Sequence, residues 1–222
     1  MILALESVFD QCSVACVTVD GTLVAEQTLT GKRLQTQQIL PMIEALMTQQ
    51  ALAFSQLTAV AFNRGPGAFS GIRINTAVAQ ALAFAHDLPC LPVSSLQAVA
   101  QAAWQTHQLT EVIALTDARM NQVYVGNFML KNGIMQPSCA DTERLLDYGS
   151  PINDKVTLVG NGAGLVTAAA GQKTVIDIVP TATIIGQIGA YQYHQQQAVS
   201  AAHALPVYLR NNAWKTLAEQ QR

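Results

Sequence analysis

Charge is scarce in this chain: Asp, Glu, Lys and Arg make up only 12 % of its 222 residues. The formal net charge is -2, and no basic cluster is larger than the pair Lys32-Arg33. Without a basic tail or stripe, the chain lacks the electrostatic footprint for binding nucleic acid on its own. Cysteine is sparse as well, and Cys12, Cys16, Cys90 and Cys139 form no CxxC pair. Cys12 and Cys16, if on one strand, are four residues apart and too distant to bridge. All four read as reduced small hydrophobes of a cytosolic protein. His86, His107, His194 and His203 show no HxxH or HExxH spacing, so no metal is expected. The opening Met-Ile-Leu-Ala-Leu-Glu has no basic n-region, which argues against a signal peptide. No apolar run approaches the roughly 20 residues of a membrane span. The expected location is the cytoplasm.

What the chain has is apolar mass. Hydrophobic residues make up 50 % of it, and its mean hydropathy is +0.23. The length suits two small domains or one large one with a sizeable core. A surface this poor in charge predicts an apolar patch that another subunit covers.

Three strands are predicted first: Ile2 to Leu5, Ser13 to Val19, and Leu23 to Leu29 beyond an Asp20-Gly21 hairpin turn. A helix with the stripe Ile39, Leu40, Ile43, Leu46 and Met47 follows, with Pro41 either in its first turn or kinking it. A strand (Leu57 to Phe62), a second helix (Gly71 to His86), a strand (Cys90 to Val93) and a helix capped by Ser94 or Ser95 complete the first half. The order β-β-β-α-β-α-β-α indicates a mixed sheet under helical cover. The second half opens the same way, with strands at Val112 to Thr116 and Gln122 to Leu130 before an Asn132-Gly133 turn. After the polar stretch Gln136 to Asp154 come a strand (Val156 to Val159), a short helix, a strand near Val175, and a helix from Thr181 to Gln196. The pattern is an α/β unit used twice, 1–105 and 106–222, with the second copy eroded and the terminal segment packing back on the first.

Arg64 to Ile74, RGPGAFSGIRI, is the most informative stretch. Gly65, Gly67 and Gly71 free the backbone between a strand and a helix, and Pro66 stiffens the approach. Such a turn either cradles an anion on exposed N–H groups or lets two backbones pack closely. A Walker loop is excluded, because no Lys-Ser or Lys-Thr follows the last glycine. Asp117 and Arg119 flank one alanine after a strand; they either form an internal ion pair, with each other or with Arg64, or meet a ligand or partner. Gly160, Gly162 and Gly164 suggest a dinucleotide turn but lack its later acid. Glu6 either carries chemistry or is a buried polar group held by Ser7 or a backbone N–H.

Four segments carry a resemblance: ILALES and CSVA within Ile2 to Ala15, RGPGAFSGIRI, DARMNQVY from Asp117 to Tyr124, and PVYLRN from Pro206 to Asn211. Together they resemble the TsaB family, accessory subunits of the bacterial machinery for tRNA threonylcarbamoyladenosine. The resemblance implies an α/β actin-like, Hsp70-like (ASKHA) fold of two ribonuclease-H-like halves with mixed sheets. It implies a non-catalytic subunit without a cofactor, pairing with the catalytic TsaD and joined by the ATPase TsaE, with tRNA contacted at most indirectly. Pairing in that family uses the first two helices, placing the interface at Ile39, Leu40, Ile43, Met47, Ile72, Ile74, Val78 and Leu82, where a homodimer could also form. The family loop would then be Arg64, Gly65, Pro66, Gly67, Gly71 and Arg73. The chain departs from its relatives at Glu6-Ser7, where Asp-Thr is common, at Leu34-Gln35, where Glu-His is common, and at Asn75, where glycine is common. The turn Val8 to Cys12 lacks the glycine with which ASKHA enzymes hold phosphate. An independent phosphotransferase of the same fold, and a glycopeptidase-type hydrolase, are the rival functions.

Overall fold

The computed structural model describes residues 1–31, 35–139 and 143–210. The first half is built from β1 (Ile2–Glu6), β2 (Gln11–Val17), β3 (Leu23–Thr30), α1 (Gln35–Gln49), β4 (Ala59–Gly65), α2 (Phe69–Ala85), β5 (Cys90–Ser94) and α3 (Ser95–His107). The strands form one sheet in the order β3-β2-β1-β4-β5. β1 runs antiparallel to β2 and parallel to β4, which is parallel to β5. Residues of β1 and β2 are buried throughout, as expected of central strands covered on both faces.

The second half contains β6 (Glu111–Arg119), β7 (Gln122–Lys131), β8 (Ile134–Pro137), β9 (Arg144–Asp147), β10 (Pro151–Ile152), β11 (Thr157–Val159), β12 (Thr167–Ala168), β13 (Thr174–Val175) and α4 (Ala182–His194). Its main sheet has the order β13-β11-β6-β7-β8. β7 is antiparallel to both β6 and β8, and β11 is parallel to β6 and β13. Read from its first strand, this repeats the connectivity of the first sheet. Two such sheets make the actin-like, ASKHA architecture. The erosion lies in the helices: short strands and a 3-10 turn at Ala163–Leu165 occupy the connections in which the first half carries α1 and α2. The polar stretch 136–154 holds β9 and β10.

The last helix of each half crosses to the other. α4 packs on β1, β2, β4 and β5, while α3 packs chiefly on β6, β7 and β8. Both helices therefore sit in the layer between the sheets, where they join Ile2, Ala4, Ala61, Leu91, Phe128 and Val159 in the largest core cluster. Two glycines permit the approach of α4. A Cβ on Gly186 would lie 2.9 Å from Val17, and one on Gly189 would lie 2.7 Å from Ala61. The free N–H groups of its first turn find acceptors on the opposite half: Ala182 N donates to Ser13 Oγ at 3.0 Å and Thr183 N to Glu26 Oε1 at 3.1 Å.

The outer face of the first sheet is covered by α1 and α2. Ile39, Met42, Ile43, Leu46 and Met47 of α1 are all buried there, each contributing about 2 kcal/mol of hydrophobic stabilisation. Pro41 lies in the second turn of α1, not the first, on the exposed side. β4 runs on to Gly65 and α2 starts at Phe69. Only Pro66 to Ala68 therefore form a true loop, and Gly71 belongs to the helix.

Candidate functional site

A cleft of about 850 Å³ opens between the two halves. The β1–β2 turn at Val8 to Asp10 forms one wall together with the glycine loop and the start of α2. The end of β6, Thr116 to Arg119, forms the facing wall, and Tyr208 and Arg210 close one side. RGPGAFSGIRI, DARMNQVY and PVYLRN, far apart in sequence, all contribute to this cavity. Asn211, the last residue of PVYLRN, and Leu34 lie outside the described residues, as do Lys32 and Arg33.

Beneath the glycine loop is a closed polar network. Glu6 is fully buried; its Oε1 accepts from Val8 N and its Oε2 from Asn63 Nδ2, both at 2.5 Å. Asn63 Oδ1 accepts from Gly65 N at 2.9 Å and Ser95 Oγ at 2.6 Å. Ser7 Oγ donates to Asn75 Oδ1 at 2.8 Å and to Gly71 O at 3.2 Å. The departures at Ser7 and Asn75 are thus bonded to each other, and Asn75 Nδ2 reaches Leu5 O and Asn63 O. Burial pushes the Glu6 carboxyl up to about 7, against the lowering pull of Asn63 and the Val8 and Phe9 N–H groups. Glu6 lies outside the cleft lining, so its carboxylate has no path to a bound molecule, which a general base requires.

The glycines explain that closure. A Cβ on Gly67 would lie 2.3 Å from Val8 Cγ1, and one on Gly71 would lie 2.2 Å from Ser7 O. The loop lies directly on the β1–β2 turn, and that turn has no room to wrap a phosphate. Gly160 and Gly162 behave alike on the other half, where a Cβ would meet Leu115 O at 2.4 Å and the Thr116 backbone at 2.8 Å. Close packing is thus the role of Gly67, Gly71, Gly160 and Gly162, whereas a Cβ on Gly164 would meet nothing within 4 Å.

Asp117 and Arg119 are paired at 3.0 Å, although the Arg119 side chain is 78 % exposed. The Asp117 carboxylate also accepts from Arg119 N and Tyr148 Oη, both at 2.7 Å. Arg64 does not join them; it meets Glu143 at 4.0 Å, and Ser94 Oγ donates to the same Glu143 carboxylate. The residue that sequence reasoning missed is Arg210. Its guanidinium donates to Ala118 O and Arg119 O, both at 3.2 Å, and to Gln122 Oε1 at 2.9 Å. A few residues earlier, Val207 N donates to Arg64 O at 2.9 Å, and Arg73 Nε donates to Tyr208 Oη at 3.1 Å while stacking on Phe69. The segment Pro206 to Arg210 therefore straps the glycine loop of one half to the DAR turn of the other.

Residues 22–217 match a family model described as TsaD, tRNA N6-adenosine threonylcarbamoyltransferase. The chain is 35 % identical to the Haemophilus influenzae tRNA threonylcarbamoyladenosine biosynthesis protein TsaB over 232 residues, spanning 97 % of this chain and 96 % of that protein. It is 35 % identical to the Escherichia coli TsaB over 234 residues, covering 97 % of both. The chain belongs to the TsaB family. Its place within the wider group that the TsaD model describes follows from the first match. A Pseudomonas aeruginosa structure described as similar to peptidase YeaZ superposes with a TM-score of 0.84 at 33 % identity, covering 94 % of this chain and 99 % of that one.

Within this TsaB-family chain the eight residues expected at a partner interface separate into two groups. Ile39, Ile43, Met47 and Ile72 are at most 3 % exposed and pack inward, so the stripe they form is consumed by the chain's own sheet. Ile74, Val78 and Leu82 are half-buried where α2 meets α1, and Leu40 is 58 % exposed. The accessible apolar surface of the two helices is completed by Phe84, which is 83 % exposed, and by the exposed Ala77 and Ala81. Among the described residues, no helix is long and apolar enough to cross a membrane.

Proposed function

We propose that this chain is the non-catalytic accessory subunit in biosynthesis of tRNA N6-threonylcarbamoyladenosine. It binds a TsaD-type catalytic subunit, with the ATPase TsaE joining the pair, and meets tRNA only within that assembly. The observation that carries this reading is the closed β1–β2 turn: Glu6 is sealed under Val8 and Gly67, and no glycine there opens the backbone to phosphate. Membership of the TsaB family supplies the pathway. The partner, or a second copy of the chain in a homodimer, covers the outward surface of α1 and α2 around Leu40, Val78 and Phe84. The chain acts by linkage: binding only the competent conformation of the partner raises the population of that conformation.

Co-expression with the TsaD of the same organism, followed by light scattering and a threonylcarbamoyl-transfer assay, tests this. A 1:1 complex whose activity needs this chain is the expected result. ATP turnover by the chain alone, with no complex, overturns it. Leu40→Arg is expected to weaken the complex at least about 30-fold, a loss of about 2 kcal/mol at a central anchor, with an unchanged melting temperature because Leu40 already faces solvent. An unaltered dissociation constant would move the interface off α1. Val78 is a poorer probe, because it also packs on the core of its own half.

A further inference from the structure

Beyond the partner-binding role, and independently of it, we infer that the chain's own C-terminal segment, 211–222, folds back over the cleft between the halves. Trp214 and Leu217 are its anchors. The cleft of about 850 Å³ has an apolar mouth. Phe69, Ile176, Val179 and Tyr208 line it and are 42–55 % exposed. Met120, 67 % exposed, lies beside them with its Sδ 3.0 Å from Arg210 Nη1. Among the described residues, these five are nearly half of the eleven large hydrophobic side chains that face solvent. Single exposed apolar residues need no explanation, but a cluster around a concave site calls for a cover.

The described chain ends at this mouth. Arg210 lines the cleft, and its guanidinium is pinned to Ala118 O, Arg119 O and Gln122 Oε1. The twelve residues that follow, NNAWKTLAEQQR, therefore start from a fixed point on the cleft wall. At about 3.3 Å per extended residue, Trp214 reaches roughly 13 Å from Arg210 and Leu217 roughly 23 Å. Whatever conformation the chain takes, the indole stays within that distance of the cleft wall. The charges agree. Asp117 is engaged by Arg119, whereas Asp10 and Asp177 line the cleft and have no ion pair among the described residues. Lys215, next to Trp214, is their complement. Tethering over so few residues gives the segment an effective concentration in the millimolar range, which a second copy of the chain at micromolar concentration does not match.

Tryptophan emission tests this on the full chain. With Trp104→Phe, Trp214 is the only indole, and its quenching by acrylamide is compared with that of a synthetic peptide of residues 211–222. Trp214 is expected to be quenched several-fold less in the chain than in the peptide, and equally so from about 1 to 50 µM protein. Ile176→Glu and Val179→Glu together place charge at the mouth on side chains already about half exposed, so the fold is retained. Each is expected to lower the docked-to-free ratio about tenfold, and the pair to raise the quenching toward the peptide value. Leu40→Arg, on the outward side of α1, is expected to leave the quenching unchanged, which separates this result from the fate of the partner interface. Peptide-like quenching in the parent, protection that survives the double substitution, protection lost in Leu40→Arg, or protection that grows with protein concentration would each overturn the inference. If Trp104→Phe lowers the melting temperature, fluorotryptophan labelling of the native chain gives the same comparison by fluorine NMR, with Trp214→Phe assigning the resonance.

Discussion

Gly71→Ala is expected to destabilise the protein by about 3 kcal/mol, although alanine is the better helix former by about 1 kcal/mol. The added methyl would stand 2.2 Å from Ser7 O, 3.0 Å from Ser7 C and 3.1 Å from Val8 Cα. All three are backbone atoms, so no side chain can rotate away. Relief requires the whole β1–β2 turn to shift, and the turn is held by the bond from Val8 N to Glu6 and by Ser7 Oγ on Gly71 O. The cost therefore spreads into the Glu6–Asn63–Ser95 network under the loop. Gly164 is the matched control: a Cβ there meets nothing within 4 Å, and Gly164→Ala should change stability by no more than about 0.5 kcal/mol. Urea unfolding followed by circular dichroism reads both. A Gly71→Ala variant as stable as the parent would show that the loop does not rest on the turn, and the sealed reading of Glu6 would go with it.

The first half was largely legible because its signals are local. Alternating and β-branched runs, the Asp20-Gly21 turn and the stripe of α1 each report on a few neighbouring residues, and together they gave the order of β1 to α3 and a cap at Ser94 or Ser95, of which Ser94 is the one that accepts from Leu96 N and Gln97 N. The duplicated strand order followed from the matching hairpins at the start of each half. The exchange of α3 and α4 was not legible. An apolar stripe states that a helix is covered, not which sheet covers it. The same ambiguity sent Ile39, Ile43, Met47 and Ile72 to a partner when their own sheet needed them. Within the candidate site, the sequence flagged the glycine loop, Asp117-Arg119 and the terminal PVYLRN as separate motifs. Their convergence on one cleft is a tertiary fact. Thr116 and Glu143 gave no sequence signal, since a lone Thr in a strand and a lone Glu in a polar stretch match many surface positions. Arg210 did carry one, lying inside a segment already singled out.

Glu6 gives the chain a pH-dependent stability of unusual sign for a carboxylate. Most folded-state carboxyls are held low and lose stability as pH falls; Glu6 is pushed from 4.5 up to about 7 by burial. The folded state thus binds the proton more tightly than the unfolded chain does. The stabilisation from protonated Glu6 is full below about pH 4.5 and is lost as pH rises through about 7. A displacement of this size corresponds to about 3 kcal/mol between the two limits, at about 1.4 kcal/mol per unit. Glu6→Gln removes the titration. It also leaves one amide hydrogen facing a donor, since Asn63 is fixed with its Oδ1 already taken by Gly65 N and Ser95 Oγ, a loss of about 1–3 kcal/mol at low pH. Unfolding free energies measured between pH 5 and 8 are therefore expected to fall by about 2–3 kcal/mol more in the parent than in Glu6→Gln, so that the two curves converge toward pH 8. Parallel curves would mean that Glu6 stays ionised in the fold, held by the Val8 and Asn63 donors against the burial that opposes them. The turn would then carry a buried negative charge directly behind the glycine loop, repelling any phosphate more strongly than the packing of Val8 on Gly67 already does.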